Sequence, residues 1–253
     1  MSDPSPNAAL ERVRVVLCHT SLPANIGACA RAMKTMGLNA LYLVDPKHFP
    51  HVDAQVLASR ATDILDAATV CTTLDEALAG TVCAVASTAR NRDMSHPVLT
   101  PREMAVRMVE ASRAGPVALV MGAEKFGLTV EEVNRCSVIT TIPADPAYSS
   151  LNIAAAVQVF AYELRLAAQQ IESLPQQVFD AATYDDLERF YTHLEEALLE
   201  IGFINPKEPK RLMQRMRRLF ARVRLEREEV NILRGILNLA QDHARAAKPR
   251  KID

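Results

Sequence analysis

This sequence lacks the usual marks of metal, nucleotide and hydrolase chemistry. It has no Cys-x-x-Cys pair, no His-Glu-x-x-His and no zinc-type Cys/His spacing, so no metal site is expected. No Gly-x-Gly-x-x-Gly follows the first apolar run, which disfavours a Rossmann dinucleotide site. No Gly-x-x-x-x-Gly-Lys-Ser/Thr loop is present to cradle a triphosphate, and no Gly-x-Ser-x-Gly elbow to expose a nucleophile. The acids are scattered, with no carboxylate pair in the loops. No run of about 18 apolar residues is long enough for a membrane span. The opening MSDPSPNAALE has no basic stretch leading into an apolar one, so no secretory leader is expected. The formal charge is −1, which by itself argues neither for nor against a nucleic-acid partner. The five cysteines, Cys18, Cys29, Cys71, Cys83 and Cys136, lie among apolar or small residues. Their odd number and setting read as reduced, buried thiols in a cytoplasmic protein.

What is present is an alternation of short apolar runs and helical patterns. Strands are expected at 13–18, 41–44, 69–72, 82–87, 117–121 and 138–142. Helices are expected at 25–36, ending at Gly37, and at 54–61, 74–78, 101–114 and 129–134. That order predicts an α/β domain with a mostly parallel sheet. Ligands of such sheets bind beyond the carboxyl ends of the strands. The loops after Cys18, Ser87, Met121 and Ile142 should share that edge. A long helix is expected over 151–170 and a polar connection over 171–183. Three amphipathic helices should follow, at 184–201, 209–224 and 228–246, making a small α-helical module.

Four segments carry candidate chemistry. In Asn25-Ile26-Gly27-Ala28-Cys29-Ala30-Arg31, Asn25 can cap the helix and Gly27 permits a close approach to its first turn. Arg31, one turn after Gly27, is either a surface side chain or a cation placed for a phosphate. In Ser87-Thr88-Ala89-Arg90-Asn91-Arg92 small residues end a strand, and two arginines follow that can fork onto phosphates or simply be solvated. In Gly122-Ala123-Glu124-Lys125-Phe126-Gly127-Leu128 two glycines bracket a lone acid. Glu124 should accept N–H bonds that hold the loop, Gly122 should let backbone pass close to a ligand, and Gly127 should turn the chain. In Ile142 to Glu163 a Pro-rich loop runs into Tyr148-Ser149-Ser150-Leu151-Asn152 and then into a helix with no charge until Glu163. Ser149 or Ser150 is the expected N-cap. So apolar a helix should be buried nearly all round, and the loop before it should offer backbone groups to a polar ligand.

Charge divides the tail sharply. Residues 176–206 hold seven acids and one base, whereas 207–224 hold eight bases and one acid. The basic stretch includes Lys210, Arg211, Arg215, Arg217, Arg218 and Arg222. It fits either a phosphate backbone or a solvated face paired with the acidic helix before it.

Taken in order, these segments resemble the three motifs of the SpoU (TrmH-type) RNA 2′-O-methyltransferases of the SPOUT class. Asn25, Gly27, Ala30 and Arg31 match the first motif. Gly122, Glu124, Gly127 and Leu128 match the second. Ile142, Pro143, Ser150, Leu151, Asn152, Ile153 and Ala154 match the third. The tail segments Asp186–Tyr191 and Asn231–Leu237 are similar to the branch that methylates the ribose of nucleotide 32 in the tRNA anticodon loop. Ala123, Phe126 and Val130 depart from that branch's pattern.

The resemblance implies a trefoil-knotted domain over 1–170, a linker over 171–183, and an RNA-binding helical extension over 184–253. It implies S-adenosylmethionine (SAM) as cofactor, held by Ser87, Thr88, Ala89, Gly122, Ile142, Ser149, Ser150, Leu151, Asn152, Ile153 and Ala154. Glu124 and Gly127 would shape the loop. Arg31, Asn25 and Ser150 would carry catalysis, and Arg90, Arg92, Lys210, Arg211, Arg217, Arg218 and Arg222 would meet RNA. The expected partners are tRNA and a second copy of the chain in a homodimer, with no membrane and no metal. Two alternatives stay open: methylation at another tRNA or rRNA position, and a non-catalytic knotted RNA-binding protein.

Overall fold

The computed structural model describes residues 6–89, 98–171, 180–206 and 211–247. Arg90, Arg92 and Lys210, and most of the expected linker, lie outside the described residues. The chain forms two compact units, one on each side of 172–179.

The first unit begins with α1 (Pro6–Leu10), β1 (Val13–Cys18), α2 (Pro23–Thr35) and β2 (Ala40–Val44). Then come α3 (Val52–Ala58), a 3₁₀ turn at Ser59–Ala61, α4 (Thr62–Asp66), β3 (Thr69–Cys71), α5 (Leu74–Leu78) and β4 (Cys83–Ser87). It ends with β5 (Val98–Leu99), α6 (Pro101–Ser112), β6 (Val117–Met121), α7 (Val130–Asn134), β7 (Val138–Thr140) and α8 (Ile153–Ile171). The sheet order is β3-β2-β1-β6-β4-β7-β5, and every pair is parallel. All the strands therefore end on one edge, as the alternating pattern predicts.

The central strands are apolar on both faces because helices cover both. Val13, Val15 and Leu17 of β1 meet Ile26, Cys29 and Met33 of α2 and Val157, Phe160 and Leu164 of α8 in one continuous core. All five cysteines are buried and free. Burial pushes the Cys18, Cys29 and Cys136 thiols well above the usual range, so they pack as inert thiols.

Three expectations change at the level of local chemistry. The last long helix starts at Ile153 rather than Leu151, and Asn152 caps it instead of Ser149 or Ser150: Asn152 Oδ1 accepts from the Ala154 N–H at 2.9 Å. Asn25 does not cap α2. The cap position is Leu22, which offers no side-chain acceptor. The close approach that Gly27 permits is made by α3, since a Cβ at Gly27 would lie 2.0 Å from the Ala54 carbonyl oxygen. Three short elements, α1, α4 and β5, have no counterpart among the expected elements, because about one turn of helix or two residues of strand leave no apolar period to detect.

In the second unit α9 (Tyr184–Glu200), α10 (Leu212–Ala221) and α11 (Arg227–Ala247) enclose a small core of Phe190, Tyr191, Leu194 and Val230. Thr183 begins α9 with a reciprocal cap to Asp186. No described helix is long and apolar enough to cross a membrane.

Candidate active site

The site is built where β1, β6 and β7 end, and its organising group is one carboxylate. Helix α2 has no side-chain cap at Leu22, its cap position. Glu124, from the loop after β6, instead holds the chain that leads into it. Its Oε2 accepts from the Ser21 N–H at 3.1 Å and from Ser21 Oγ at 3.0 Å. Its Oε1 accepts from the Leu22 N–H at 3.3 Å and from Asn25 Nδ2 at 2.9 Å. The carboxylate thus sits at the positive end of the helix, where a negative charge is favoured. Partial burial raises its pKa, but the hydrogen bonds from Asn25 and Ser21 outweigh that, and the net shift is downward.

Asn25 passes the connection on. It is almost fully buried, and its Oδ1 accepts from Asn152 Nδ2 at 3.1 Å. Asn152 in turn caps α8. A continuous chain of hydrogen bonds, Glu124–Asn25–Asn152, therefore ties together the ends of three strands and the starts of two helices. Asn25 engages both ends of its amide in this chain, so it acts as a positioning residue.

The loop after β6 keeps its shape by its own packing. A Cβ at Gly122 would lie 2.1 Å from the Gly127 carbonyl carbon, so the backbone that passes close to Gly122 is the loop's own. Gly127 adopts φ +66°, and its N–H donates to the Ala123 oxygen at 2.7 Å. The loop after β4 is aligned by the Thr88 N–H, which donates to the Thr140 oxygen. In the loop after β7, Ser149, Ser150 and Leu151 donate no backbone hydrogen bond to any described residue. Three consecutive open N–H groups beside a rigid wall can hold a polar, largely uncharged ligand. Ile142, Ile153 and Ala154 flank that loop and pack against the core.

Arg31 stands apart from this wall. It is six residues beyond Asn25, or about 9 Å further along α2. Its side chain is exposed and pairs with no described residue. Helices α2 and α8 lie side by side in the same sense, joined by Asn25–Asn152 at one end and Thr35–Gln158 at the other. Arg31 lies between these ties. Alongside, Ala155, Val159, Tyr162 and Leu166 form an incompletely buried stripe on α8, so that helix is less enclosed than its composition suggests.

In the second unit the arginines of α10 divide. Arg217 turns inward. Its guanidinium forms two hydrogen bonds to the Glu188 carboxylate and stacks 4.4 Å from the centre of the Tyr191 ring. It therefore belongs to the module's own packing, unlike its expected place in an RNA face. Arg211, Arg215, Arg218 and Arg222 recur at steps of four, three and four, which puts them on one helix face. Their side chains form no hydrogen bond or ion pair with described residues.

Sequence reasoning missed Ser21, half of the Glu124 cradle, because nothing marks it out from any other loop serine. Among the described residues no group of acids, histidines and cysteines is arranged to hold a metal.

Two family models match this chain: the SpoU rRNA methylase family over residues 12–162, and the C-terminal domain of the tRNA methyltransferase TrmJ over residues 185–250. A Pseudomonas aeruginosa protein named tRNA (cytidine/uridine/adenosine-2′-O-)-methyltransferase TrmJ is 48% identical over 96% of this chain and 99% of its own length. The tRNA (cytidine/uridine-2′-O-)-methyltransferase TrmJ of Pectobacterium atrosepticum is 47% identical over 92% of this chain and 98% of its own. Among solved structures, TrmJ from Z. mobilis ZM4 superposes with a TM-score of 0.78 at 33% identity, covering 89% of this chain and 97% of that one.

Proposed function

The chain belongs to the SpoU methylase family, and from that premise we propose that it transfers a methyl group from SAM to the ribose 2′-OH of nucleotide 32 in the tRNA anticodon loop. The observation that carries this reading is the Glu124–Asn25–Asn152 chain, which joins the loops of all three family motifs into one wall. Further support comes from relatives named as tRNA 2′-O-methyltransferases over nearly the whole chain.

The residues present fit SAM. The open N–H groups of Ser149–Leu151 suit its polar ends, and Ser87, Thr88, Ala89, Gly122, Ile142, Asn152, Ile153 and Ala154 would complete the cradle. When bound, the cofactor supplies a sulfonium methyl that is already electrophilic, so the protein's task is chiefly alignment. Arg31 carries a guanidinium, which keeps its proton and makes a poor base. It would lower the cost of forming the ribose alkoxide by placing a fixed positive charge beside it. Ser150 would orient the ribose, while Glu124 and Asn25 hold the helix that carries Arg31.

We take the first unit to be the trefoil-knotted SPOUT domain and the protein to work as a cytoplasmic homodimer. The stripe of Ala155, Val159, Tyr162 and Leu166 would face the second subunit. Such pairing gives Arg31 a role, because it lies too far along α2 to serve the wall of its own subunit.

Methylation of unmodified tRNA with labelled SAM, followed by mapping of the modified ribose, tests the reading. Label at nucleotide 32 is expected. Label elsewhere would move the target, and tRNA binding without label would indicate a non-catalytic protein. Cytidine, uridine and adenosine should each be placed at the target, since the Pseudomonas relative is named for all three.

The second unit yields a separate test. Reversing charge at Arg218 and Arg222 should weaken tRNA binding and lower its salt slope by roughly 0.7–0.9 per lost phosphate contact. Arg217→Ala should leave that slope unchanged and instead destabilise the module by about 1–2 kcal/mol, because it removes both hydrogen bonds that Arg217 donates to the Glu188 carboxylate, in a pair only about a quarter exposed. An Arg217 variant that altered only the salt slope would return this residue to the RNA face.

A further inference from the structure

Between Glu124, which organises the site, and Gly127, which turns the chain, lie two side chains that the wall does not use. Phe126 is 64% exposed. Lys125 Nζ lies 5.4 Å from the centre of its ring. A single exposed phenylalanine means little on a protein surface. Three observations set this one apart. The first is its support. The loop is closed by the Ala123–Gly127 bridge, by the crowding at Gly122 and by the hydrogen bonds that Glu124 accepts, so the backbone that carries the ring is held in place. The second is its place, two residues from Glu124 on the edge where the cofactor and substrate loops meet. The third is its neighbour, a cation held against the same ring. An exposed aromatic face beside a fixed positive charge is the pairing that holds single-stranded nucleic acid. The ring takes a base by stacking, and the cation takes the adjoining phosphate.

We propose that Phe126 is a stacking platform for an unstacked base of the tRNA loop beside the reacting ribose, and that Lys125 receives a phosphate flanking that base. The inference rests on the tRNA reading above and adds how the loop after β6 reads its substrate. Stacking tolerates any base, because every base has a π-face. A platform of this kind therefore suits an enzyme that accepts more than one base at its target. The Glu124 carboxylate, only one residue from Lys125, stays charged, but its oxygens are engaged by Ser21, Leu22 and Asn25.

The test uses the full-length protein with unmodified tRNA and SAM. It compares Phe126→Ala, Phe126→Leu, Phe126→Tyr and Lys125→Gln with the parent. Phe126→Ala should raise KM for tRNA by roughly ten-fold, as expected for one lost stacked base. kcat at saturating tRNA, SAM affinity and the salt slope of binding should stay as they were. Phe126→Tyr should restore KM, and Phe126→Leu, which is apolar but has no π-face, should not. Lys125→Gln should lower the salt slope by roughly 0.7–0.9, one phosphate contact. Rescue by leucine would overturn the proposal, since packing alone would then explain the ring. So would a shift of Phe126→Ala from dimer to monomer, which would make the ring a subunit contact. An unchanged salt slope in Lys125→Gln would overturn the role given to the lysine. If the parent protein methylates no tRNA, the functional reading itself fails; if the parent is active and Phe126→Ala matches it, only this inference fails.

Discussion

Arg31→Ala is expected to lower kcat for methyl transfer by roughly 10²–10³, the loss seen when one group that stabilises a developing oxyanion is removed. SAM affinity should stay unchanged, because Arg31 takes no part in the wall of loops. Its exposed side chain pairs with no described residue, and it lies about 9 Å along α2 beyond Asn25. For the same reason the variant should fold normally: removing an unpaired exposed guanidinium leaves no stranded partner. Arg31→Lys separates two explanations. A lysine keeps the charge but loses the planar fork. Partial activity would mean that charge near the oxygen matters most, and none would mean that the fork must hold ribose and phosphate together. The measurement is single-turnover transfer of labelled methyl to unmodified tRNA, with SAM binding followed by calorimetry. Unchanged turnover in Arg31→Ala would end the proposed role.

The framework around Arg31 was legible in the sequence to an uneven degree. Apolar runs bounded by polar turns place β1, β4 and β6 to within a residue, because a strand covered on both faces must be apolar throughout. Leu74–Leu78 was legible to the residue, as Thr73 and Glu76 mark its first turn. The start of α8 lies two residues beyond the expected one. Ser149, Ser150 and Asn152 are all competent caps, and choosing among them needs Asn25 in place to accept from Asn152 Nδ2. Gly27 signals a close approach but not what approaches: the space is taken by the carbonyl of Ala54, 27 residues further along the chain. Arg217 sits in a run of bases that looks uniform. Only the fold of the second unit brings Glu188 and Tyr191 to it and separates it from Arg211, Arg215, Arg218 and Arg222. In each case local pattern showed which residue types were available, and the missing part was a contact distant in sequence.

Glu124 shows what such distant contacts are worth. Glu124→Gln conserves shape but turns one acceptor into a donor facing Ser21, Leu22 or Asn25, each of which already donates to this group. At least one N–H or O–H then faces another donor. Hydrogen bonds to a charged group contribute about 1.5–3 kcal/mol each, and their losses do not simply add. The first unit should therefore lose about 2–3 kcal/mol. Activity should fall by more than stability suggests, because Asn25 and the start of α2 are set by this carboxylate and carry Arg31 with them. The effect has a sign in pH. The folded-state pKa of Glu124 lies below the usual carboxylate value, so its contribution is fully present above the unfolded value of about 4.3. It is lost as pH falls through the folded value. The stability gap between the parent and Glu124→Gln should stay level from neutral pH down to about pH 5 and shrink below about pH 4.3. Comparing the two proteins removes the shared effect of other carboxylates whose pKa values are also lowered, such as Asp186 in the second unit. Chemical denaturation at a series of pH values measures the gap. A gap independent of pH would show that the amide fails through its shape alone. No gap at all would mean that the wall stands without Glu124, and the three loops would then need another explanation for their union.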